Sequence, residues 1–323
     1  MSQAAATSAA PPLPARRRAG KAGDAAFALA CHAAGLFVLV LLGAIIALLF
    51  AGGWPAFRAF GLAFLASTDW DPVQEVFGAG VSLYGTAVTA VLALVLAVPV
   101  AFGIAFLLTE LAPAPLRRPI GMAIELLAAV PSIIYGMWGF FVIVPVMAGT
   151  IQPAIIDTIG ELPVLGTLFQ GPPFGTGLLT AALILAIMVL PFIAAVMRDA
   201  FAAVPPVYKE SAYGLGATTW EVVRHVVLPY ARVSVVGGTM LGLGRALGET
   251  MAVTFVVGNA NRISPSLFGA GNTIASLIAL EFPESGMGSL KLSALLALGF
   301  LLFALSFLVL AISRWLLRPR LKG

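Results

Sequence analysis

Two residues of opposite charge, Arg245 and Glu249, lie inside the apolar run Val233–Val257, with Arg245 at its midpoint. An arginine at the centre of a bilayer costs about 2.5–3.5 kcal/mol on insertion scales, so it needs a partner or a water-filled cavity. A spacing of four residues places both side chains on one face of a helix, where Glu249 can pair with Arg245.

The chemistry of this pair suits an oxyanion. A guanidinium fork can bind two oxygens of a tetrahedral oxyanion at once. The carboxylate can accept a hydrogen bond from a protonated oxygen of the anion, or pair with the arginine when the anion has left. The pattern therefore indicates a transport pathway through Arg245 and Glu249, and the alternative is an ion pair that only fixes helix packing.

A second set of candidate pathway residues lies in the apolar run Ile120–Val146. Glu125 is an acid near the start of this run, and Pro131 is expected to kink or loosen the helix. Ser132 and Tyr135 follow the proline and can line a kinked pathway. The alternative is a snorkelling or capped helix end for Glu125 and ordinary packing for the other three residues.

The composition shows which elements must position these residues. Hydrophobic residues make up 60% of the chain and charged residues 10%, and the mean hydropathy of +1.04 excludes a soluble domain with a normal surface. No alternating strand pattern is present, so helices rather than a barrel must satisfy the backbone. We therefore predict an all-α polytopic membrane protein with six transmembrane helices, in the runs Phe27–Phe50, Val81–Leu108, Ile120–Val146, Gly175–Val196, Val233–Val257 and Leu292–Ile312.

The basic residues orient these helices. Of the 18 Lys and Arg residues, all except Arg58, Arg245, Arg262 and Lys291 fall in segments on one side of the predicted topology. The positive-inside rule places that side in the cytoplasm. We expect a multi-pass membrane protein with both termini in the cytoplasm. The segments predicted to lie outside are Trp54–Gly80, Gly149–Pro173 and Asn259–Ser289, and within the last of these Thr273–Phe282 is apolar but too short to span.

Several kinds of site are missing from the sequence. It contains no G-x-x-x-x-G-K-[ST] phosphate loop, no H-E-x-x-H zinc motif and no G-x-S-x-G elbow. The single cysteine, Cys31, lies in the first apolar run and excludes a disulfide framework. The chain is therefore expected to be non-catalytic, with no metal and no bound cofactor, and any ATP must bind to another chain.

One polar stretch, Tyr208–Arg232, separates two apolar runs and reads YKESAYGLGATTWEVVRHVVLPYAR. It predicts a charged helix, a glycine corner and an apolar helix ended by proline, which together form a rigid knob on a membrane domain. The alternative is an ordinary amphipathic cytoplasmic loop. The residues that carry the pattern are Glu210, Ser211, Ala212, Gly216, Val226, Leu228 and Pro229.

This spacing resembles the EAA loop of ABC importer permeases, which has the form E-A-A, three residues, G, nine residues and I-x-L-P. Ser211 replaces the first Ala and Val226 replaces the Ile. In that family the loop is a coupling helix that docks into a groove on a separate ATPase subunit. The stretches Gly242–Val256 and Ile124–Phe141 resemble the signature of the phosphate-specific permeases, the PstC type, so that the resemblance covers most of residues 81–315.

The resemblance implies a type-1 ABC importer (MetI-like) permease fold, a location in a bacterial inner membrane, and ATP-driven phosphate import by alternating access. The family's Arg and Glu, implicated in phosphate translocation, correspond to Arg245 and Glu249. The implied partners are a PstA-like permease, a PstB-like ATPase dimer that holds ATP and Mg, and a PstS-like periplasmic phosphate-binding protein. The expected organisation is a disordered basic tail 1–23, a first transmembrane helix 24–52, a periplasmic loop 53–80, a permease domain 81–315 with its coupling loop 199–232, and a basic tail 316–323.

Three other functions remain open. A permease for another oxyanion, molybdate or sulfate, fits the charged pair but not the two long signature stretches. A proton-coupled secondary transporter can use Arg245 and Glu249 as a relay, but it leaves the pattern from Glu210 to Pro229 unexplained. A role in phosphate signalling is undecided, because the sequence has no separate signalling module.

Overall fold

The computed structural model describes residues 21–163 and 165–316, so most of the two predicted basic tails lie outside the described residues. Six helices in the described part are long and apolar enough to cross a membrane, which confirms the predicted all-α architecture. These spans are Gly23–Phe60, Gly80–Leu111, Ser132–Ile159, Leu178–Ala202, Thr219–Leu247 and Leu290–Trp315.

Within the described residues the elements follow in chain order. They are α1 (Lys21–Phe60), α2 (Ala63–Ala66), β1 (Trp70–Asp71), β2 (Val76–Phe77), α3 (Gly80–Phe106), α4 (Ala114–Ala128), α5 (Ser132–Trp138), α6 (Val144–Val146), α7 (Gln152–Ile159), α8 (Leu178–Ala202), α9 (Pro206–Gly214), α10 (Thr219–Val222), α11 (Leu228–Leu247), α12 (Met251–Thr254), α13 (Ile274–Glu281) and α14 (Leu290–Leu316). Wider π-helical turns extend α3 through Leu107–Leu111, join α5 to α6 and α6 to α7, and join α10 to α11 through Val223–Val227.

The chain divides into two compact units, Met1–Leu48 and Leu49–Gly323. The described part of the first unit is helical and exposes apolar side chains such as Phe27 and Phe37 along its length. The second unit contains all the candidate pathway and coupling residues.

Small residues set the core of the second unit. A stripe of buried alanines on α3 and the glycines of α11 allow close packing against α8. A Cβ added at Gly238 would lie 2.6 Å from Val196 Cγ1, and one added at Gly242 would lie 2.6 Å from Ile193 Cδ1. Helices α3, α8 and α11 therefore form a closely packed centre; the alanines of the stripe are Ala90, Ala93, Ala97, Ala101 and Ala105.

The prediction of one continuous third span over Ile120–Val146 is wrong. Helix α4 ends at Ala128, and the membrane-spanning segment begins only at Ser132 and continues to Ile159. Pro131 precedes α5 with an extended backbone, ψ 138°. Because proline has no amide hydrogen and its ring clashes with the carbonyl four residues earlier, it opposes continuation of α4 into α5. The segment Gly149–Pro173, predicted to be external, therefore contributes its first residues to the span.

The prediction of a fifth span over Val233–Val257 is also wrong in register. The spanning segment is Thr219–Leu247, Gly248 follows its last residue, and the short helix α12 begins separately at Met251. Both interruptions lie inside the apolar runs from which the spans were predicted, so hydropathy alone does not show them.

The two other segments predicted to be external contain short elements. Helix α1 continues to Phe60, and beyond it β1 and β2 form an antiparallel hairpin in which Trp70 pairs with Phe77. In the segment Asn259–Ser289, α13 has eight residues, which agrees with a piece too short to span. Its first amide, Ile274 N, donates to Thr86 Oγ1 of α3 at 2.9 Å.

Candidate functional site

The two interrupted spans meet at Gly136 of α5. A Cβ added at Gly136 would lie 2.9 Å from Ala252 Cα and 2.8 Å from Phe255 Cδ2, so only glycine allows α12 to approach this closely. Interrupted helices are tolerated inside a membrane where their backbone is buried in protein or lines a cavity. The contact therefore brings the break before α5 and the break before α12 into one region.

Arg245 lies at this region, in the last turn of α11 rather than at the midpoint of a span. Its side chain is exposed in this chain and lies within electrostatic range of the Tyr135 hydroxyl. Tyr135 is buried, and its hydroxyl donates to Leu127 O of α4 at 2.8 Å. The structure thus places three of the predicted pathway residues, Tyr135, Ser132 and Pro131, on the short segment that begins α5.

Glu249 does not follow Arg245 on the same helical face, because α11 ends at Leu247. Its half-buried carboxylate instead accepts a hydrogen bond from Ala252 N at 3.2 Å, in the first turn of α12. The described residues contain no ion pair of Arg245 with Glu249 or with any other acid. The expected helical pair is therefore wrong in geometry, and the guanidinium keeps its donors available for a ligand.

Glu125 has a different environment. It lies on α4 and forms an ion pair with Arg198 of α8, with 2.9 Å between Oε1 and Nη1. Arg198 also binds its neighbour Asp199 at 2.9 Å. This arrangement favours the packing interpretation of Glu125, since it connects α4 to α8 at a partly exposed position.

The polar stretch folds as a helix, a corner and a second helix. Glu210 and Ser211 are exposed on α9, whereas Ala212 packs against the core. Gly216 turns the chain with φ +86°, a conformation that L side chains rarely adopt. Thr218 then caps α10 through a reciprocal capping box with Glu221. The predicted charged helix and glycine corner are confirmed in shape.

The third part of that pattern departs from the prediction. Val226 and Leu228 pack against the core, but Pro229 does not end a helix and instead occupies the second position of α11. The π turn Val223–Val227 comes directly before it. A wider turn accommodates a residue that lacks an amide hydrogen, so the helix passes through the proline.

Sequence reasoning missed an ion pair at the base of α9. Lys209 Nζ lies 2.6 Å from Glu110 Oε1, on the π turn that follows α3. Both side chains are largely buried. The available signals were weak: Glu110 comes just after the apolar run Val81–Leu108, and Lys209 directly precedes Glu210.

Comparisons with known proteins give a consistent result. Residues 97–322 match the family described as binding-protein-dependent transport system inner membrane component. A protein of Mesorhizobium japonicum named phosphate transport system permease protein PstC is 58% identical over 294 residues, which cover 91% of this chain and 90% of the relative. A protein of the same name from Pasteurella multocida is 58% identical over 282 residues, which cover 87% of this chain and 88% of the relative.

Among solved structures, an inward-facing conformation of the MetNI methionine ABC transporter matches 77% of this chain and 100% of its own chain. The TM-score is 0.51 and the sequence identity 18%, so the likeness shows the fold alone. The predicted type-1 ABC importer fold is confirmed by this likeness together with the family match.

Proposed function

The chain belongs to the family of binding-protein-dependent transport system inner membrane components, and we propose that it is the membrane subunit of an ATP-driven phosphate importer. Its relatives named phosphate transport system permease protein PstC support phosphate as the substrate. Alternating access of a helix bundle is the proposed mechanism, with the anion moving past Arg245.

The observation that carries the proposal is the state of Arg245. It lies in the last turn of α11, within electrostatic range of Tyr135 on α5, and no acid of the described residues forms an ion pair with it. A planar guanidinium can donate two parallel hydrogen bonds to one phosphate. Glu249, which contacts the backbone of α12 nearby, can accept from a protonated phosphate oxygen when the anion arrives.

The polar stretch supports coupling to an ATPase on a separate chain. Helix α9 and the Gly216 corner expose Glu210 and Ser211 at the surface, while Ala212 fixes the helix to the core. We place this surface in the cytoplasm from the distribution of basic residues. The partners that fit this arrangement are a PstA-like permease, a PstB-like ATPase dimer and, outside, a PstS-like binding protein.

Reconstitution tests the proposal directly. The complex is assembled in lipid vesicles with the three proposed partners, and radiolabelled phosphate uptake is measured with and without ATP. We expect ATP-dependent phosphate uptake that is not reduced by excess sulfate or molybdate. Uptake of molybdate or sulfate in preference to phosphate would establish the other-oxyanion alternative, and uptake driven by a proton gradient without ATP would establish a secondary transporter.

The matched variants are Arg245→Gln and Arg58→Gln, which remove the same charge at different exposed positions. Arg245→Gln should abolish uptake while the complex still assembles. Arg58→Gln, in the last turn of α1, should leave uptake unchanged. Equal loss in both variants would count against Arg245 as the anion contact.

A further inference from the structure

Lys209 connects three separate elements through one ammonium group. Its Nζ lies 2.6 Å from Glu110 Oε1, on the π turn that follows α3, and 3.4 Å from Phe201 O near the end of α8. The Lys209 side chain is 17% exposed and the Glu110 side chain 7% exposed. Helix α9 is therefore held at its middle to the ends of two spans.

A pair this buried is a costly way to obtain stability alone. The cost of removing two charges from water offsets most of the free energy of their attraction. Apolar residues of the same volume often give equal or greater stability. A buried pair does fix geometry, because a carboxylate and an ammonium must meet closely to offset their desolvation. The pair therefore specifies where α9 sits on the bundle.

Neighbouring residues of α9 differ in their exposure to solvent. Lys209 is turned inward to Glu110, whereas the next residue, Glu210, is exposed. A force on the exposed Glu210 therefore acts on a helix that the ion pair of Lys209 with Glu110 holds in place.

Lys209 contacts the end of α8 and the π turn that follows α3. Among the described elements, α3 and α8 pack together most extensively. The alanine stripe of α3 lies along α8, so a displacement at their ends moves them as one body. Helix α8 reaches α9 through a short covalent connection, whereas α3 is remote from α9 in sequence. Beside the ion pair, Trp220 of α10 contacts Phe102 and Phe106 of α3, with ring centroids 6.4 and 6.2 Å apart.

We propose that Glu110 and Lys209 are positioning residues that transmit displacement of α9 to α3. The inference rests on the proposed function, since it takes α9 as the surface moved by an ATPase. Loss of either charge leaves the other buried without a partner, so that α9 no longer holds a single position on α3.

The test compares coupling in the reconstituted complex, expressed as phosphate imported per ATP hydrolysed. Glu110→Gln and Lys209→Met should lower this ratio about tenfold while ATP hydrolysis stays within about twofold, since the loss lies in transmission. The exchanged double variant, Glu110→Lys with Lys209→Glu, should recover most of the ratio. An unchanged ratio in the single variants, or no recovery in the exchanged variant, overturns the proposal.

The chain provides a matched control in the ion pair of Lys291 with Glu281. Its side chains are 15% and 22% exposed, so its burial is similar, but it joins α14 to α13. Lys291→Met should leave the ratio of phosphate to ATP unchanged. A similar fall in this variant would mean that any buried pair affects transport through stability, and the specific role of Glu110 and Lys209 would be rejected.

A second measurement needs no substrate. Spin labels at Val207 on α9 and Val95 on α3, both exposed, are introduced after Cys31→Ser removes the single cysteine. The distance between them should give one narrow distribution with and without ATP, and Lys209→Met should broaden it. A narrow distribution in Lys209→Met would refute the proposed role of the ion pair, whether or not the wild-type complex imports phosphate. Absence of phosphate import by the wild-type complex would reject the proposed function instead.

Discussion

Arg245 and Glu249 are close in sequence but do different things in the structure. Arg245 presents an unpaired guanidinium at the end of α11, and Glu249 contacts the first turn of α12. A pair that served only to pack helices would bring the two side chains into contact, because each would otherwise keep an uncompensated charge. The separation favours a ligand between or beside them over the packing alternative.

The apolar double variant Arg245→Met with Glu249→Leu distinguishes these two interpretations. We expect phosphate uptake to fall at least about 30-fold, since hydrogen bonds to charged groups contribute about 1.5–3 kcal/mol each. Arg245→Lys should also be poor, because an ammonium keeps the charge and loses the bidentate fork. Uptake into vesicles is measured together with recovery of the assembled complex. Near-normal uptake by the double variant would contradict a direct role for the pair.

The interrupted helices show how short elements build the site. Helix α4 ends at Ala128, three residues before Pro131, and Gly248 follows the end of α11, so that α5 and α12 are separate short helices that contact each other. Their contact depends on the missing side chain at Gly136. The Tyr135 hydroxyl then fastens α5 to the carbonyl of Leu127. These contacts hold the backbone near Arg245 at a set position.

Gly136→Val tests the contact between α5 and α12. The added side chain must displace the backbone of α12, and such overpacking costs about 1–3 kcal/mol. We expect a lower melting temperature of the complex and weaker phosphate uptake. Gly103→Val on α3 is the matched control, because a Cβ there meets nothing within 4 Å. Equal effects of the two substitutions would show that Gly136 has no special role.

The Gly216 corner between α9 and α10 offers a second test at the scale of single elements. Gly216 has φ +86°, and Gly214, two residues earlier, ends α9; a Cβ at either meets nothing within 4 Å. Gly216→Val should cost about 1–3 kcal/mol of local strain and uncouple ATP hydrolysis from uptake, with the protein still in the membrane. Gly214→Val should have a much smaller effect. The test measures co-purification of the ATPase and its stimulated ATP hydrolysis in each variant. Full coupling of hydrolysis to uptake in Gly216→Val would contradict docking of the Gly216 corner to the ATPase.

At the scale of the whole molecule, the described residues contain six apolar spans, and the charged helix α9 with its Gly216 corner lies between the fourth and fifth spans in the chain. Basic residues concentrate on the predicted cytoplasmic side, which includes the corner and both termini. The hairpin of β1 and β2 lies in Trp54–Gly80, a segment predicted to be outside the cytoplasm. Anion binding between the spans and ATPase docking at the corner would then occur in distinct parts of one chain.

Cysteine labelling tests this orientation. In a Cys31→Ser background, Val73→Cys and Leu215→Cys place a thiol at positions that are 92% and 91% exposed. Val73→Cys should react with a membrane-impermeant maleimide in intact cells, and Leu215→Cys should react only after permeabilisation. Because the two sites are equally exposed in the chain, a difference reports the side of the membrane. The opposite pattern would reverse the orientation.

Local physical chemistry was enough to predict much of this molecule. Six apolar runs predicted six spans, because each helix must be apolar along its own length to cross a bilayer. The glycine corner was predictable at Gly216, because turn geometry depends on a residue and its immediate neighbours. Arg245 was recognisable as a pathway candidate because its charge stands out in an apolar run.

Only the tertiary structure decided where the third and fifth spans begin and end, and what Arg245 and Glu249 contact. The breaks at Pro131 and Gly248 lie inside runs that hydropathy reads as continuous spans, and the structure shows them together with the packing of α5 against α12 at Gly136. The ion pair of Glu110 with Lys209 joins residues 99 positions apart. Pairing over that distance depends on the path of the whole chain, and no local pattern contains it.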